Sequence, residues 1–162
     1  MVKLASAAVV GLTAQPIDVE LDAIPGLHVF HLGGLADKAV GESRERIAAA
    51  IRHSGAQSPE RLNLRVTVNL APADLRKEGA AYDLAIAVAF LIASDQLRPA
   101  VDFSRTVFVG ELGLDGTLRP VTGVIAASRM ARTLGCTELV VPEANAREAA
   151  LVPGVAVRPA AT

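Results

Sequence analysis

One polar stretch holds the side chains best suited to chemistry, and it lies between a predicted strand and a predicted helix. Its charged members and its glycine are Asp74, Arg76, Lys77, Glu78, Gly79 and Asp83. The ten residues that follow, 84–93, are all apolar, rich in good helix formers and free of Gly and Pro. Polar side chains at the N-terminus of a buried helix lie beside exposed backbone N–H groups, so this stretch is a candidate site.

Structural roles explain the same stretch equally directly. Asp83 is placed to stabilise the first turn of the helix, and Gly79 can supply a backbone conformation that the loop requires. Because caps are far more common than active sites, spacing alone favours this structural interpretation. The apolar run is about half as long as a bilayer-spanning helix, which predicts a helix buried inside a soluble domain.

The elements that must position this stretch are predicted from hydrophobic periodicity. The clearest strand is 62–70, where Leu and Val at even positions alternate with polar residues. Further strands are predicted at 4–11, 17–22, 27–32, 106–112, 138–141 and 155–157, and helices at 37–54, 84–93, 121–134 and 142–151. A turn at 114–117 predicts a hairpin. This order predicts an α/β (α+β two-layer) domain over residues 1–158, a mixed sheet backed by helices, followed by a disordered tail at 159–162.

Composition limits the classes of function. Of the 162 residues, 51% are hydrophobic and 20% are charged, as expected for one domain with a substantial core. The formal net charge is −1 and the sequence isoelectric point about 6.3, so no overall basic field attracts nucleic acid. The single cysteine, Cys136, cannot form an internal disulfide, and we find no convincing signal peptide. Both features favour a cytoplasmic location.

Motifs for metals and cofactors are missing from the sequence. His28, His31 and His53 have no metal-ligand spacing with one another or with Cys136. The phosphate-binding pattern GxxxxGK[ST] does not occur, since the glycines of 110–116 are not followed by Lys and Ser or Thr. We therefore expect no metal and no cofactor in this chain, and we infer neither a small-molecule substrate nor membrane contact.

Several long motifs occur in the order found in one bacterial family. They are ADKAVGESRERIAAAIRHSG, NLAPADLRKEGAAYDLAIAVAFLIAS, FVGELGLDGTLRPVTGVIAA and VVPEANAREAALV. Together they closely resemble the N-terminal domain of magnesium-chelatase-like AAA+ ATPases of the ComM and YifB type. The resemblance implies that ATP and Mg bind in an ATPase module C-terminal to this domain, and we expect the chain to stop before that module. It also implies full-length relatives that are hexameric motors on DNA, with branch migration in recombination and natural transformation as their role.

The same family domain is similar in fold to the proteolytic domain of Lon peptidases, which use a serine–lysine dyad. Lys77-Glu78-Gly79 matches the Lon loop before the nucleophile, but the serine position falls on Ala81. The pair Gly123-Val124 matches as well, but the lysine position falls on Ile125. A methyl group cannot attack a carbonyl and a butyl group cannot accept a proton, so the resemblance implies a domain without peptidase activity.

Three interpretations of the function stay open at this stage. An accessory domain that assembles a ring or binds a partner would use the polar residues of the candidate loop together with Glu111. A residual hydrolase would need a nucleophile, and the nearest candidates are Ser94, Ser104 and Ser128. A DNA-binding module would need a basic strip across the strand at 62–70 and the helix at 37–54, formed by Arg44, Arg46, Arg52, Arg61, Arg65, Arg76 and Lys77.

Overall fold

A mixed sheet of seven strands lies at the centre of the fold. The structure is a computed structural model and describes residues 1–34 and 38–162. The strands are β1 (Val2–Val10), β2 (Thr13–Pro25), β3 (Val29–Gly33), β4 (Leu64–Ala71), β5 (Thr106–Phe108), β6 (Glu111–Leu112), β7 (Leu118–Arg119), β8 (Glu138–Pro142) and β9 (Ala156–Ala160). The helices are α1 (Lys38–Gly41), α2 (Ser43–His53), α3 (Asp83–Ala93), α4 (Val124–Thr133) and α5 (Ala146–Ala149), and a 3-10 turn spans Glu143–Asn145.

The order of strands in the sheet is β3-β4-β2-β1-β5-β8-β9. β2 is antiparallel to both β1 and β4, whereas the other neighbouring pairs are parallel. β6 and β7 pair with each other in a separate hairpin, which the turn at 114–117 predicted. The predicted fold class, a mixed sheet backed by helices, is thereby confirmed.

Alternation along the strands divides the core between the two faces of the sheet. Val66, Val68 and Leu70 of β4 are fully buried in the hydrophobic cluster that contains α2 and α3. Ala7 of β1 points to the other face, where it joins a second cluster with α4 and Leu139 of β8. The polar residues of β4 are exposed on that second face, as the predicted alternation requires.

Several element boundaries differ from the predicted ones. β1 and β2 are longer than predicted and meet in a tight hairpin that pairs Val10 with Thr13. The strand predicted at 106–112 is interrupted, because Val109 and Gly110 turn away from β5 before β6 begins. The helix predicted at 142–151 is reduced to a 3-10 turn and one turn of α5. Asp37, the predicted start of the helix at 37–54, lies outside the described residues.

The disordered tail predicted from Pro159 was wrong for its first two residues. β9 continues through Ala160, which pairs with Pro142 of β8. The carbonyl of Ala161 then accepts a hydrogen bond of 2.8 Å from the backbone N–H of Leu118. Backbone hydrogen bonds to β8 and to Leu118 thus hold the start of the tail, which its composition did not indicate. None of the helices in the described part of the chain has the length and apolar character to span a membrane.

Replacement of Leu70 by alanine tests the assignment of the two faces. Because Leu70 is fully buried, we expect Leu70→Ala to lower the free energy of unfolding by about 2–5 kcal/mol. Thr67→Ala, on the exposed face of the same strand, should change it by less than about 0.5 kcal/mol. Urea denaturation of both variants measures the difference, and equal losses would contradict the assignment.

Candidate functional site

The buried carboxylate of Asp83 connects three elements at the start of α3. Its oxygens accept hydrogen bonds from Arg46 on α2, at 2.7 Å from Nε and 3.3 Å from Nη2. Nη2 of Arg46 also donates to Ser43 Oγ at 2.9 Å, and the backbone N–H of Leu112 in β6 donates to Asp83 at 3.3 Å. One ion pair therefore fixes α2, α3 and the β6–β7 hairpin relative to one another.

The environment of this pair changes the pKa values of both partners. Burial raises the pKa of Asp83, and the hydrogen bonds from Arg46 and Ser43 offset part of that rise. The hydrogen bond to Asp83 raises the pKa of Arg46, so the guanidinium stays charged. No side-chain hydrogen bond caps α3, and Asp83 therefore stabilises the helix through its charge and through Arg46, not as a cap.

Lys77 is buried, although it belongs to the charged stretch before α3. Its side chain has no solvent exposure, and Nζ donates a hydrogen bond to the carbonyl of Pro72. Burial lowers the pKa of the ammonium, while the nearby carboxylate of Asp74 acts in the opposite direction. Lys77 therefore lies in the interior of the fold, whereas Arg76 and Glu78 beside it are exposed.

The other charged residues of the candidate loop lie at the surface and do not form one cluster. Arg76 and Glu78 pair with each other at 3.2 Å, and both side chains are mostly exposed. Asp74 lies on a different surface depression from Glu78, one that also includes Asp18 of β2. Glu111 pairs with Arg119 across the β6–β7 hairpin at 3.5 Å. The exposed carboxylates are thus divided between two surface depressions, one with Asp74 and the other with Glu78 and Glu111.

A surface cleft of about 400 Å³ lies beside the position that the Lon resemblance assigned to the nucleophile. We call it the Ala81 cleft, and its lining includes Ala7, Val9, Glu78, Gly79, Ala81, Val109, Glu111 and Val121. The backbone on one side is fixed by hydrogen bonds from Gly110 N–H to the Ala81 carbonyl at 2.9 Å and from Leu84 N–H to the Gly110 carbonyl at 3.1 Å. Ile125, the position assigned to the general base, is half-buried in the first turn of α4 and is not part of the lining.

The serines considered as nucleophiles do not line this cleft. Ser94 and Ser128 each donate a hydrogen bond to the carbonyl four residues earlier in their helices. Ser104 donates to Asp102 at 2.6 Å in an exposed turn. In residues 1–34 and 38–162 no group of three His, Cys, Asp or Glu side chains is arranged to hold a metal ion.

The basic strip considered for DNA does not assemble. Arg65 lies on the exposed face of β4, opposite the face that packs against α2. Lys77 is buried and Arg46 is held by Asp83. The exposed members on the loop and on α2 lie next to carboxylates, since Arg76 pairs with Glu78, Arg44 with Glu45 and Arg52 with Glu60. The positive charges are therefore separated and partly neutralised.

Sequence reasoning did not identify the partner of Asp83, because it considered Arg46 only as a member of the basic strip. A signal was nevertheless present, since an acidic residue directly before an all-apolar helix requires a counter-charge when it is buried. Nothing in the sequence identified which arginine would supply that charge. The cleft itself has no sequence signature, because its lining comes from segments that are far apart in the chain.

Comparisons with known proteins agree on one family. The family model described as subunit ChlI of Mg-chelatase matches residues 19–145. An uncharacterised protein of Mycobacterium tuberculosis is 43% identical over 94% of this chain, and the chain covers 30% of that protein. The uncharacterised protein YifB of Escherichia coli and the competence protein ComM of Haemophilus influenzae are each 42% identical over 91% of this chain, which covers 28% of either. The chain thus spans less than a third of the length of these relatives.

Removal of the Asp83 carboxylate should be far more damaging than removal of an exposed one. Asp83→Ala leaves Arg46, whose side chain is only 16% exposed, without its counter-charge, and we expect a loss of about 3–5 kcal/mol in unfolding free energy. Glu45→Ala breaks the exposed pair with Arg44 on α2 and should cost far less. Arg46→Met combined with Asp83→Leu should recover most of the loss, because neither charge is then buried alone. Chemical denaturation compares the variants, and similar costs for the two single substitutions would refute the role of the pair.

The buried ammonium of Lys77 should make stability depend on alkaline pH. The unfolded chain keeps this proton up to about pH 10.4, whereas the folded protein releases it at lower pH. The free energy of unfolding of the native protein should therefore rise with pH in the interval between the lowered pKa of Lys77 and about 10.4. Lys77→Met should lack this rise. Lys3 provides a control of opposite sign, because the hydrogen bond to Asp18 raises its pKa and its contribution fades as pH increases. Thermal unfolding at neutral and alkaline pH measures both effects, and parallel profiles for native protein and Lys77→Met would contradict the prediction.

Proposed function

The chain belongs to the family of the ChlI subunit of Mg-chelatase, and from that premise we propose that it is a non-catalytic accessory domain of a longer AAA+ ATPase. In this proposal the parent protein binds ATP and Mg outside this chain. It forms a homo-oligomeric ring in the cytoplasm, and the present domain contributes to ring assembly or to partner binding. The parent acts on DNA during recombination and natural transformation.

The observation that carries the proposal is the alanine at the cleft. Ala81 lies two residues before α3 and lines the cleft with a methyl group, which offers neither a nucleophile nor a proton. Ser94, Ser104 and Ser128 lie outside that lining and use their hydroxyls in local hydrogen bonds. A pre-formed cleft with a methyl group at the position of the nucleophile supports recognition rather than hydrolysis.

The relatives support the proposed context of the domain. One of them is named a competence protein, and the chain corresponds to 28% of its length. Most of such a protein therefore lies outside the matched segment, which leaves room for an ATPase module. For DNA contact by this domain the support is weak, since its arginines are distributed over both faces and lie close to carboxylates.

Light scattering of the purified chain tests the assembly role. We expect a species larger than the monomer, unchanged by a single-stranded oligonucleotide at low and at high salt. Arg76→Glu, in the exposed part of the loop, should reduce the mass, whereas Arg98→Glu, in a different exposed turn, should not. A monomer at all concentrations would refute assembly by this domain, and a complex with the oligonucleotide that dissociates in salt would support a DNA-binding module instead.

Hydrolysis of an unfolded fluorescent casein tests the absence of catalysis. We expect no turnover above that of buffer, because a methyl group occupies the position of the nucleophile. Ala81→Phe, which fills the cleft, serves as the matched variant, with circular dichroism as a check on folding. Turnover by the native protein that is lost in a folded Ala81→Phe variant would overturn the proposal, and turnover equal in both would reveal a contaminating protease.

A further inference from the structure

We propose that the groove between α4 and the start of β2 binds an amphipathic helix of a partner protein, with leucines of that helix in the groove and one of its carboxylates against Arg129. This inference rests on the proposed function in one respect, since a partner-binding domain requires a surface for its partner. It goes further by naming that surface and the chemistry of the segment that binds there. None of the residues that line this groove also lines the Ala81 cleft.

Two walls of similar length form the groove, whose volume is about 350 Å³. One wall is the stretch 12–16, at the tip of the β1–β2 hairpin and the start of β2. The other wall is one face of α4, since its lining residues recur at intervals of three and four: Ala126, Arg129, Met130, Thr133 and Leu134. Each wall spans about 12 Å, so the groove has room for about two turns of a helix.

The lining is mostly apolar, and part of it is open to solvent. Ala126 and Met130 are buried, whereas Leu12 is 94% exposed and Leu134 is 56% exposed. Tight turns are usually formed by Gly, Asn, Asp or Ser, and a leucine at the tip of a hairpin adds little to the core when it is so exposed. A bound apolar helix face would cover both leucines, and the flexible side chain of Met130 can adapt to it.

The charge of the groove comes from Arg129. No other charged residue lines the groove, and the side chain of Arg129 is exposed. Within residues 1–34 and 38–162 it has no carboxylate partner, whereas several exposed arginines elsewhere in the fold are paired. The hydroxyls of Thr13 and Thr133 donate to carbonyls of their own hairpin and helix. A carboxylate beside the leucines of the bound helix therefore complements the groove.

Two other occupants fit the groove less well. A second copy of the chain offers no suitable helix in its described part, because α2, α3 and α4 turn most of their apolar side chains into the two core clusters. The helices α1 and α5 have only four residues each. For nucleic acid the lining provides one cation and no aromatic side chain on which a base could stack.

A designed helix tests the proposal on the whole chain. The probe is a fluorescein-labelled peptide held helical by a lactam bridge, with leucines along one face and a glutamate beside them. Fluorescence anisotropy reports its binding. One control peptide has lysine in place of the glutamate, and another has serine in place of the leucines. We expect the glutamate peptide to bind, and both control peptides to bind at least about tenfold more weakly.

Variants of the charged residue locate the contact. Arg129→Glu should weaken binding of the glutamate peptide by about tenfold and strengthen binding of the lysine peptide, because the charge at the groove is reversed. Arg61→Glu is matched in charge and lies at an exposed position outside the lining, so it should leave both affinities unchanged. Equal affinity of the native chain for the two peptides, or full binding of the glutamate peptide to Arg129→Glu, would overturn the proposal.

Variants of the exposed leucines locate the apolar contact. Leu12→Ser combined with Leu134→Ser should weaken binding of the glutamate peptide by about tenfold, whereas Leu151→Ser, at an exposed leucine outside the lining, should not. All three leucines are largely exposed, so these variants are expected to fold, which circular dichroism checks. An oligonucleotide that displaces the glutamate peptide from the native chain, and that does not bind to Arg129→Glu, would assign the groove to nucleic acid and overturn the proposal.

The outcome can be separated from that of the proposed function. Light scattering of the same samples without peptide reports self-association, which does not require this groove. A chain that assembles but does not bind the glutamate peptide would refute helix binding alone. A monomeric chain that binds it with the expected selectivity would support this inference and refute the assembly role.

Discussion

The buried pair of Asp83 and Arg46 is the constraint on which the arrangement around the cleft depends. Removing two charges from water is costly, and the pair is tolerable only because Ser43 and the N–H of Leu112 complete its hydrogen bonds. Such geometry fixes one register of α2 and α3 where apolar packing alone would accept several. It also fixes the β6–β7 hairpin against the start of α3, so that Gly110 bonds to both Ala81 and Leu84.

The position of the hairpin against α3 also determines where the pairing between β1 and β5 ends. Because Gly110 is held against the start of α3, the chain cannot continue alongside β1 after Phe108. β5 therefore contains only three residues, whereas β1 extends to Val10. The short β5 and the cleft are thus consequences of the same local geometry, and a change at the ion pair would alter both. Stability and the shape of the Ala81 cleft are coupled at this point of the fold.

Sequence reasoning succeeded where burial follows a regular period. The alternation of β4 and the apolar run of α3 report directly which faces meet the core, and the mixed sheet follows from their order. It failed in the irregular segments, where burial depends on residues far along the chain. Lys77 is covered because its loop folds back towards Pro72, and β9 continues through Ala160 because β8 offers a free edge. Neither event leaves a periodic signal, so the sequence did not indicate that Lys77 is buried or that the start of the tail forms a strand.

A glycine at the start of α4 lies against Val9, one of the residues that line the cleft. Gly123 has φ of +79°, a conformation that other residues adopt only under strain, and a Cβ atom there would lie 2.6 Å from Cγ2 of Val9. The absence of a side chain at 123 therefore lets the backbone approach Val9 closely. A larger residue at 123 would push Val9 and change the space beside residues 7–10. The resemblance to Lon peptidases marks this same turn through the pair Gly123-Val124, while the neighbouring dyad position holds Ile125. On the proposed function, Gly123 is needed for the shape of the cleft whether or not a general base occupies position 125. A cleft of this shape can therefore bind a partner without the side chains that hydrolysis requires.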